Sequence, residues 1–454
     1  ELALFGGFGL VLCFLGPKPS ESRLGRIVDI VLAIAAVICC GYLVAQSESL
    51  GQRAALYTTP DLVIGGLGML LVLEAARRSV GWSLPILAVL FLLYAHESVA
   101  RSLPDWLFPH RGQDLQAIVG QSWLRSEGVF GTAMNVMFRY VFLFVLFGAV
   151  LEAAGATGWV IGVAERLFGK RAGGPAKVAE LASGLMGSLS GSAVANVATT
   201  GTFTIPLMRG IGFSPAIAAG IEAAASSGGA LVPPVMGAGA YMMLEIINRD
   251  PPVRFLEIVQ AALVPAILYY LSIFLLVHFY AKRIDEGRDS ATADGSNDSP
   301  ATARTPAEST AVFSLEGLTF VGALGGLMAL LFAGFSPFRA VSIATCFAMA
   351  MILVNPRTGG SWLSRGAVAV IWAGLSAGLH YASPSQIGWG EAPIAGLAAV
   401  LVGLVVVSLF VNVWGGKILN LVRTTAVGGT PLVAAAACVG IIIGLVSRTG
   451  IGTG

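Results

Sequence analysis

Charge is what this sequence most lacks: its 27 Lys+Arg and 25 Asp+Glu make up 11% of 454 residues, against roughly 25% in soluble domains. A chain so poor in charge does not cover a water-facing surface, which argues against a soluble globular protein. Its net charge of +2 offers no basic face for phosphates, and nucleic-acid binding is excluded. The four histidines, His96, His110, His278 and His380, are scattered, and no pair has metal-ligand spacing. The five cysteines, Cys13, Cys39, Cys40, Cys346 and Cys438, sit in apolar runs with no disulfide framework and read as small core hydrophobes. What the sequence has instead is 56% hydrophobic residues and 58 glycines. Apolar and glycine-rich together indicate close-packed membrane helices.

A membrane span needs about 20 mostly apolar residues. Candidate runs lie at residues 2–15, 27–45, 62–76, 84–100, 129–153, 255–281, 315–333, 340–354, 366–381, 393–413 and 430–446. The first and last residues, Glu1 and Gly454, each adjoin an apolar stretch, so the sequence reads as truncated, an internal piece of a longer chain. By the positive-inside rule, Lys18, Arg23 and Arg26, then Arg77 and Arg78, then Arg166, Lys170, Arg171 and Lys177 mark cytoplasmic loops. Residues 101–128 then form an extracytoplasmic loop whose Trp106, Phe108, His110 and Trp123 are expected near the membrane interface. Residues 285–312 turn to Asp, Ser, Thr, Ala and Pro and read as a disordered cytoplasmic linker between two bundles.

The stretch between the fifth and sixth runs is different. Residues 183–206 place Ser188, Ser190, Ser192, Asn196, Thr199, Thr200, Thr202 and Thr204 within one apolar segment. Backbone that leaves the helix inside a bilayer must have its polar groups satisfied by protein, water or ligand. A hairpin entering from the cytoplasm near Lys177, turning around residues 191–196 and returning to Arg209, meets that condition. Its tip would present helix-end amides to an anion, and hydroxyls and carbonyls to a hard cation such as Na⁺. A second break follows at residues 226–237, where Gly228 and Gly229 precede Pro233 and Pro234. Close packing of small residues and a plain proline kink are the simpler readings of these two features. Glu222, on the helix leading into the break, is the best candidate for a functional carboxylate, with pairing to Arg209 or a water-facing position as the bland alternative. Glu152, Glu165 and Glu180 read as interfacial, while Glu245, Arg249, Asp250 and Arg254 fall outside. A faint internal repeat lays residues 148–158 on 444–454, with matches at Gly148, Val150, Thr157 and Gly158.

Residues 187–208 (GSLSGSAVANVATTGTFTIPLM), 222–229 (EAAASSGG) and 233–238 (PPVMGA) resemble the fused membrane permease of tripartite ATP-independent periplasmic (TRAP) transporters, in the branch associated with TAXI-type solute receptors. Residues 74–78 (EAARR), 80–82 (VGW), 142–149 (FLFVLFGA) and 173–177 (GGPAK) extend the resemblance. It implies an all-α membrane protein of the inverted-repeat elevator type: a multi-span bundle with a re-entrant helical hairpin and a discontinuous helix. Residues 1–100 would be small-subunit-like scaffold and connecting helices, 129–284 the first repeat of the large subunit, and 313–454 further spans with the start of an incomplete second repeat. It further implies Na⁺-coupled import of a small organic anion, a carboxylate, delivered to the outer face of the cell membrane by an extracytoplasmic solute-binding protein. Beyond Na⁺ no cofactor is implied. Carried over by position, Ser190 and Ser192 from the hairpin tip and Gly229, Val232 and Pro234 from the break would hold Na⁺, while Asn196, Thr199 and Thr200 would face the substrate.

An enzyme is disfavoured by the same residues. The hairpin serines have no histidine base nearby, and GSLSG at residues 187–191 lacks the spacing of a nucleophile elbow. A non-transporting scaffold or permease fragment is the other class of reading.

Overall fold

The computed structural model describes residues 1–16, 22–53, 56–104, 110–169, 173–233, 236–247, 250, 253–293, 314–354 and 415–450. Among these the protein is helical throughout, with no strand. The helices are α1 (Leu2–Leu15), α2 (Arg23–Ala45), α3 (Ser47–Gln52), α4 (Thr59–Ser79), α5 (Ser83–Ala95), α6 (Glu97–Ala100), α7 (Leu115–Val119), α8 (Thr132–Val136), α9 (Phe142–Ala153), α10 (Ala156–Phe168), α11 (Gly174–Ser190), α12 (Ala193–Gly210), α13 (Pro215–Gly229), α14 (Ala238–Ile246), α15 (Phe255–Ala293), α16 (Leu315–Phe332), α17 (Pro337–Val354) and α18 (Gly415–Thr449). Among the described residues six helical stretches are long and apolar enough to cross a bilayer: Arg23–Ala45, Thr59–Ser79, Thr132–Ala153, Phe255–Ile284, Leu315–Phe332 and Leu421–Thr449. Shorter apolar helices are Leu2–Leu15, Ser83–Ala95 and Pro337–Ile352. The runs expected at residues 366–381 and 393–413 lie outside the described residues, as do Trp106 and Phe108.

Two compact units form, residues 1–142 with 426–454 and residues 143–425. In the first, helices α2 and α4 are tied at two points by buried acids. Asp29 near the start of α2 meets Arg78 at the end of α4 at 2.5 Å, and Arg78 also grips Glu74 at 2.7 Å. At the other end the hydroxyl of Tyr42 donates to Asp61 at 2.6 Å, while Arg53 reaches the same carboxylate at 3.0 Å. Asp61 also accepts from the amide and hydroxyl of Thr58, closing the capping box that starts α4.

Several expectations are corrected here. The fourth run does not continue to residue 100: α5 stops at Ala95, and His96 turns extended to accept from the Ser98 amide and start α6. Residues 101–128, read as an extracytoplasmic loop, carry α7 and a π-helical turn at Gly120–Leu124 that pack against α4. Trp123 is fully buried rather than interfacial, lying over Gly68 and edge-on to Phe130 at 5.0 Å. Helix α15 runs on to Ala293, nine residues into the segment read as disordered linker, since Asp285–Ala293 continues its hydrogen-bonded turns. The rest of that linker lies outside the described residues up to residue 313.

The second unit contains α10 to α17 and buries Ala176, Ala179, Met208, Phe213, Ala218, Ile221, Ile273, Val277 and Ala281 in one cluster joining α11, α12, α13 and α15. Small residues let these helices approach, and the aromatic rings of α15 fill what remains. In the two segments aligned as a repeat, a helix closes at the same aligned position. Helix α9 closes with the Ala154 amide on the Val150 carbonyl (2.9 Å), and α18 with the Gly450 amide on the Val446 carbonyl (3.2 Å). Val150 and Val446 are partners in that alignment, and residues 451–454 lie outside the description.

Candidate functional site: a hairpin tip against a broken helix

Gly173 in a left-handed conformation and Pro175 in the first turn start α11, and Gly191 (φ 60°) ends it. Only Gly191 and Ser192 separate α11 from α12, and the two helices pack against each other as a hairpin. The turn is tighter than the six residues the sequence suggested: the Asn196 amide already bonds the Ser192 carbonyl at 3.0 Å, so Asn196 belongs to the first turn of α12.

Helix α13 begins at the Ser214 cap with Pro215 behind it and stops at Gly229. Its last carbonyls are taken by tight turns, Leu231 on Gly228 at 2.9 Å and Val232 on Gly229 at 3.1 Å, and the Gly237 amide closes the break onto Ala230 at 2.8 Å. Within the break Met236 holds φ at 54°, a left-handed conformation unusual for a residue with a side chain. The hairpin tip sits on this break: a Cβ at Gly191 would stand 2.7 Å from the Met236 carbonyl oxygen. Both interruptions expected from the sequence are present, and they meet.

Behind the tip lies a buried polar network. Asn196 is buried, and its amide nitrogen donates to the Ser183 carbonyl at 2.7 Å and the Ser226 hydroxyl at 3.1 Å. Its Oδ1 is buried with no hydrogen-bond partner among the described residues. Glu222, fully buried, takes hydroxyl donors from all three helices: Ser183 of α11 at 2.6 Å, Thr200 and Thr204 of α12 at 2.5 and 2.6 Å, and Ser226 of its own α13 at 3.2 Å. It makes no ion pair among the described residues, and Arg209 is exposed. On the far side of α13, Tyr269 and Tyr270 of α15 donate to the carbonyls of Ala224 and Ala225 at 2.9 and 2.6 Å.

Of the residues read as substrate-facing, Thr199 alone is half-buried; Asn196 and Thr200 are turned into this network. Among the cation candidates, Ser192 is half-buried in the turn, Gly229 is buried at the end of α13 and Val232 is half-buried in the break. Pro234 and the side chain of Ser190 lie outside the description. Two expectations about charge are corrected. Lys177, counted among cytoplasmic charges, is buried, with Nζ 3.0 Å from His278 Nδ1 and over the Phe274 ring at 5.2 Å. Lysine only donates, so Nδ1 accepts and the imidazole proton sits on Nε2. Glu180, read as interfacial, is buried, and its Oε2 has no partner among the described residues. Sequence reasoning missed the Glu222 cage although its signal was there: Asn196, Thr200 and Thr204 recur every four residues, as do Glu222 and Ser226.

A helical bundle with spans of this length and an internal hairpin facing a broken helix defines a multi-pass membrane protein. The family described as the tripartite ATP-independent periplasmic transporter, DctM component, matches residues 67–454, and the chain belongs to it. That family is a secondary-transporter permease of the inner membrane and not an enzyme. Among similar proteins are the uncharacterized YgiK of Salmonella typhimurium, 31% identical over 31% of this chain and 31% of that protein. The 2,3-diketo-L-gulonate TRAP transporter large permease protein YiaN of Escherichia coli is 28% identical over 31% of this chain and 32% of its own length. The C4-dicarboxylate TRAP transporter large permease protein DctM of Pseudomonas aeruginosa is 30% identical over 34% of this chain and 35% of its own. The chain thus spans about a third of the length of the curated relatives it matches.

Proposed function

We propose that the chain is the membrane permease component of a Na⁺-coupled tripartite secondary transporter that imports a small organic anion. A TAXI-type extracytoplasmic solute-binding protein delivers the substrate, and an elevator movement of the hairpin-bearing helices carries it inward. Residues 1–100 act as the scaffold and 129–284 as the first mobile repeat, with the hairpin re-entrant from the cytoplasmic side. The observation that carries this reading is the buried Asn196 Oδ1, without a hydrogen-bond partner among the described residues and one helical turn from the hairpin turn. A buried acceptor without a donor is costly, and a hard cation supplies what it lacks. The ion set is then Ser190, Ser192, Gly229, Val232 and Pro234, with Asn196 joining it. Thr199 and the first amides of α12 are left for a carboxylate. The names of two relatives, which specify 2,3-diketo-L-gulonate and C4-dicarboxylate, agree with an anionic substrate.

Substrate-dependent Na⁺ flux into vesicles holding the full chain, with its solute-binding protein outside, tests the reading. Asn196→Ala and Ser190→Ala should insert normally and need more Na⁺ for half-maximal uptake. Unchanged Na⁺ affinity in both variants removes these residues from the site. A ligand-loaded receptor that drives no flux through the wild-type chain favours a scaffold.

A further inference from the structure

The cage around Glu222 can be counted hydrogen by hydrogen. Four hydroxyls reach the carboxyl group, three at Oε1 (Ser183, Thr200, Ser226) and one at Oε2 (Thr204). If Glu222 is ionised, each of the four donates to it and the carboxylate is held by hydroxyls alone. Three of the same hydroxyls also have a second acceptor in reach. Thr200 has the Asn196 carbonyl at 2.8 Å, Thr204 has the Thr200 carbonyl at 3.0 Å, and Ser183 has the Thr200 hydroxyl at 3.0 Å. A protonated Glu222 therefore donates from Oε2 to the Thr204 oxygen, or from Oε1 to the Thr200 oxygen, while that threonine turns its own hydrogen to the backbone. No heavy atom needs to move. Hydroxyl rotors that satisfy both states are what a buried site needs to exchange a proton without leaving a polar atom unpaired.

We infer that Glu222 is a proton-binding site built into the hairpin, taking up and releasing a proton in addition to any cation held at the tip. The remaining charged and titratable groups on the packed helices do not neutralise it. Lys177 and Glu180 lie on α11, with Lys177 bonded to His278 of α15. Tyr269 and Tyr270 of α15 point their hydroxyls at carbonyls, and Arg209 ends α12 in an exposed position. The O–H bond forms on a Glu222 oxygen with a proton drawn from water, and water receives it on release.

The site is tested on the full chain in lipid, without Na⁺ or substrate, by infrared difference spectra across pH, so that the outcome does not depend on the Na⁺ reading. One component of the C=O stretch of protonated carboxylic acids should grow in the wild type as pH falls, be lost in Glu222→Gln and persist in Glu180→Gln. In Thr204→Val, where the ionised form has one donor fewer, that component should appear at higher pH. If folded Glu222→Gln loses no component relative to the wild type at any pH at which both stay folded, the assignment is overturned. Should Glu222→Gln fail to fold, a Thr204→Val midpoint equal to the wild type overturns it.

Discussion

Gly187 of α11 and Gly229 of α13 cross with no side chain between them: a Cβ on Gly229 would stand 2.4 Å from the Cα of Gly187, and one on Gly187 2.8 Å from the Cα of Gly229. The crossing holds the hairpin against α13 at the residue where α13 breaks, and it brings Ser226 into reach of Asn196. Gly229→Ala should therefore force the two backbones apart, costing about 1–3 kcal/mol as overpacking does. A lowered melting temperature in detergent checks it, with Gly220→Ala, which meets nothing within 4 Å, as the unaffected control.

Thr204→Val removes the donor to Glu222 Oε2 while keeping shape. Loss of a hydroxyl bonded to a buried carboxylate costs about 1–3 kcal/mol. Thermal unfolding at neutral pH should show that loss, and Thr202→Val, on the exposed face of α12, should not.

Tyr270→Phe deletes one hydrogen bond to the Ala225 carbonyl and should cost about 1 kcal/mol. Tyr270→Ala should cost more, about 3 kcal/mol, because the ring fills the space left by Gly184 and Gly228. Comparing the two melting temperatures separates the hydroxyl from the packing.

Asp29 and Arg78 predict a thermodynamic cycle. Arg78→Ala removes the guanidinium 2.5 Å from the buried Asp29 carboxylate, at a cost of about 2–3 kcal/mol. Asp29→Ala in the same chain should recover part of that loss, since the charge that lost its guanidinium is gone. Denaturation midpoints of the two single variants and the double variant measure the coupling.

Much of this protein was legible in the chain itself. Runs such as residues 27–45 and 255–281 have to leave water, and Gly191 and the Gly228–Pro234 stretch cannot continue a helix, so spans and breaks follow from local chemistry. The partners were not legible. Lys177 and Glu180 read as charges near a helix end, and Trp123 as an interfacial aromatic, because burial depends on which helices cover them. Asn196, Thr200 and Thr204 formed a visible stripe at a spacing of four, yet nothing local said that the stripe faces Glu222, 18 residues beyond Thr204.

By itself the sequence determined where the chain is helical, where the helix must fail, and that its apolar spans lie in a membrane, since each depends on hydropathy and on the backbone limits of glycine and proline. Only the tertiary structure decided that the hairpin tip meets the broken helix and that one carboxyl group gathers hydroxyls from three helices. Those contacts join residues far apart in sequence, and they exist only once small side chains have let the helices close to touching distance.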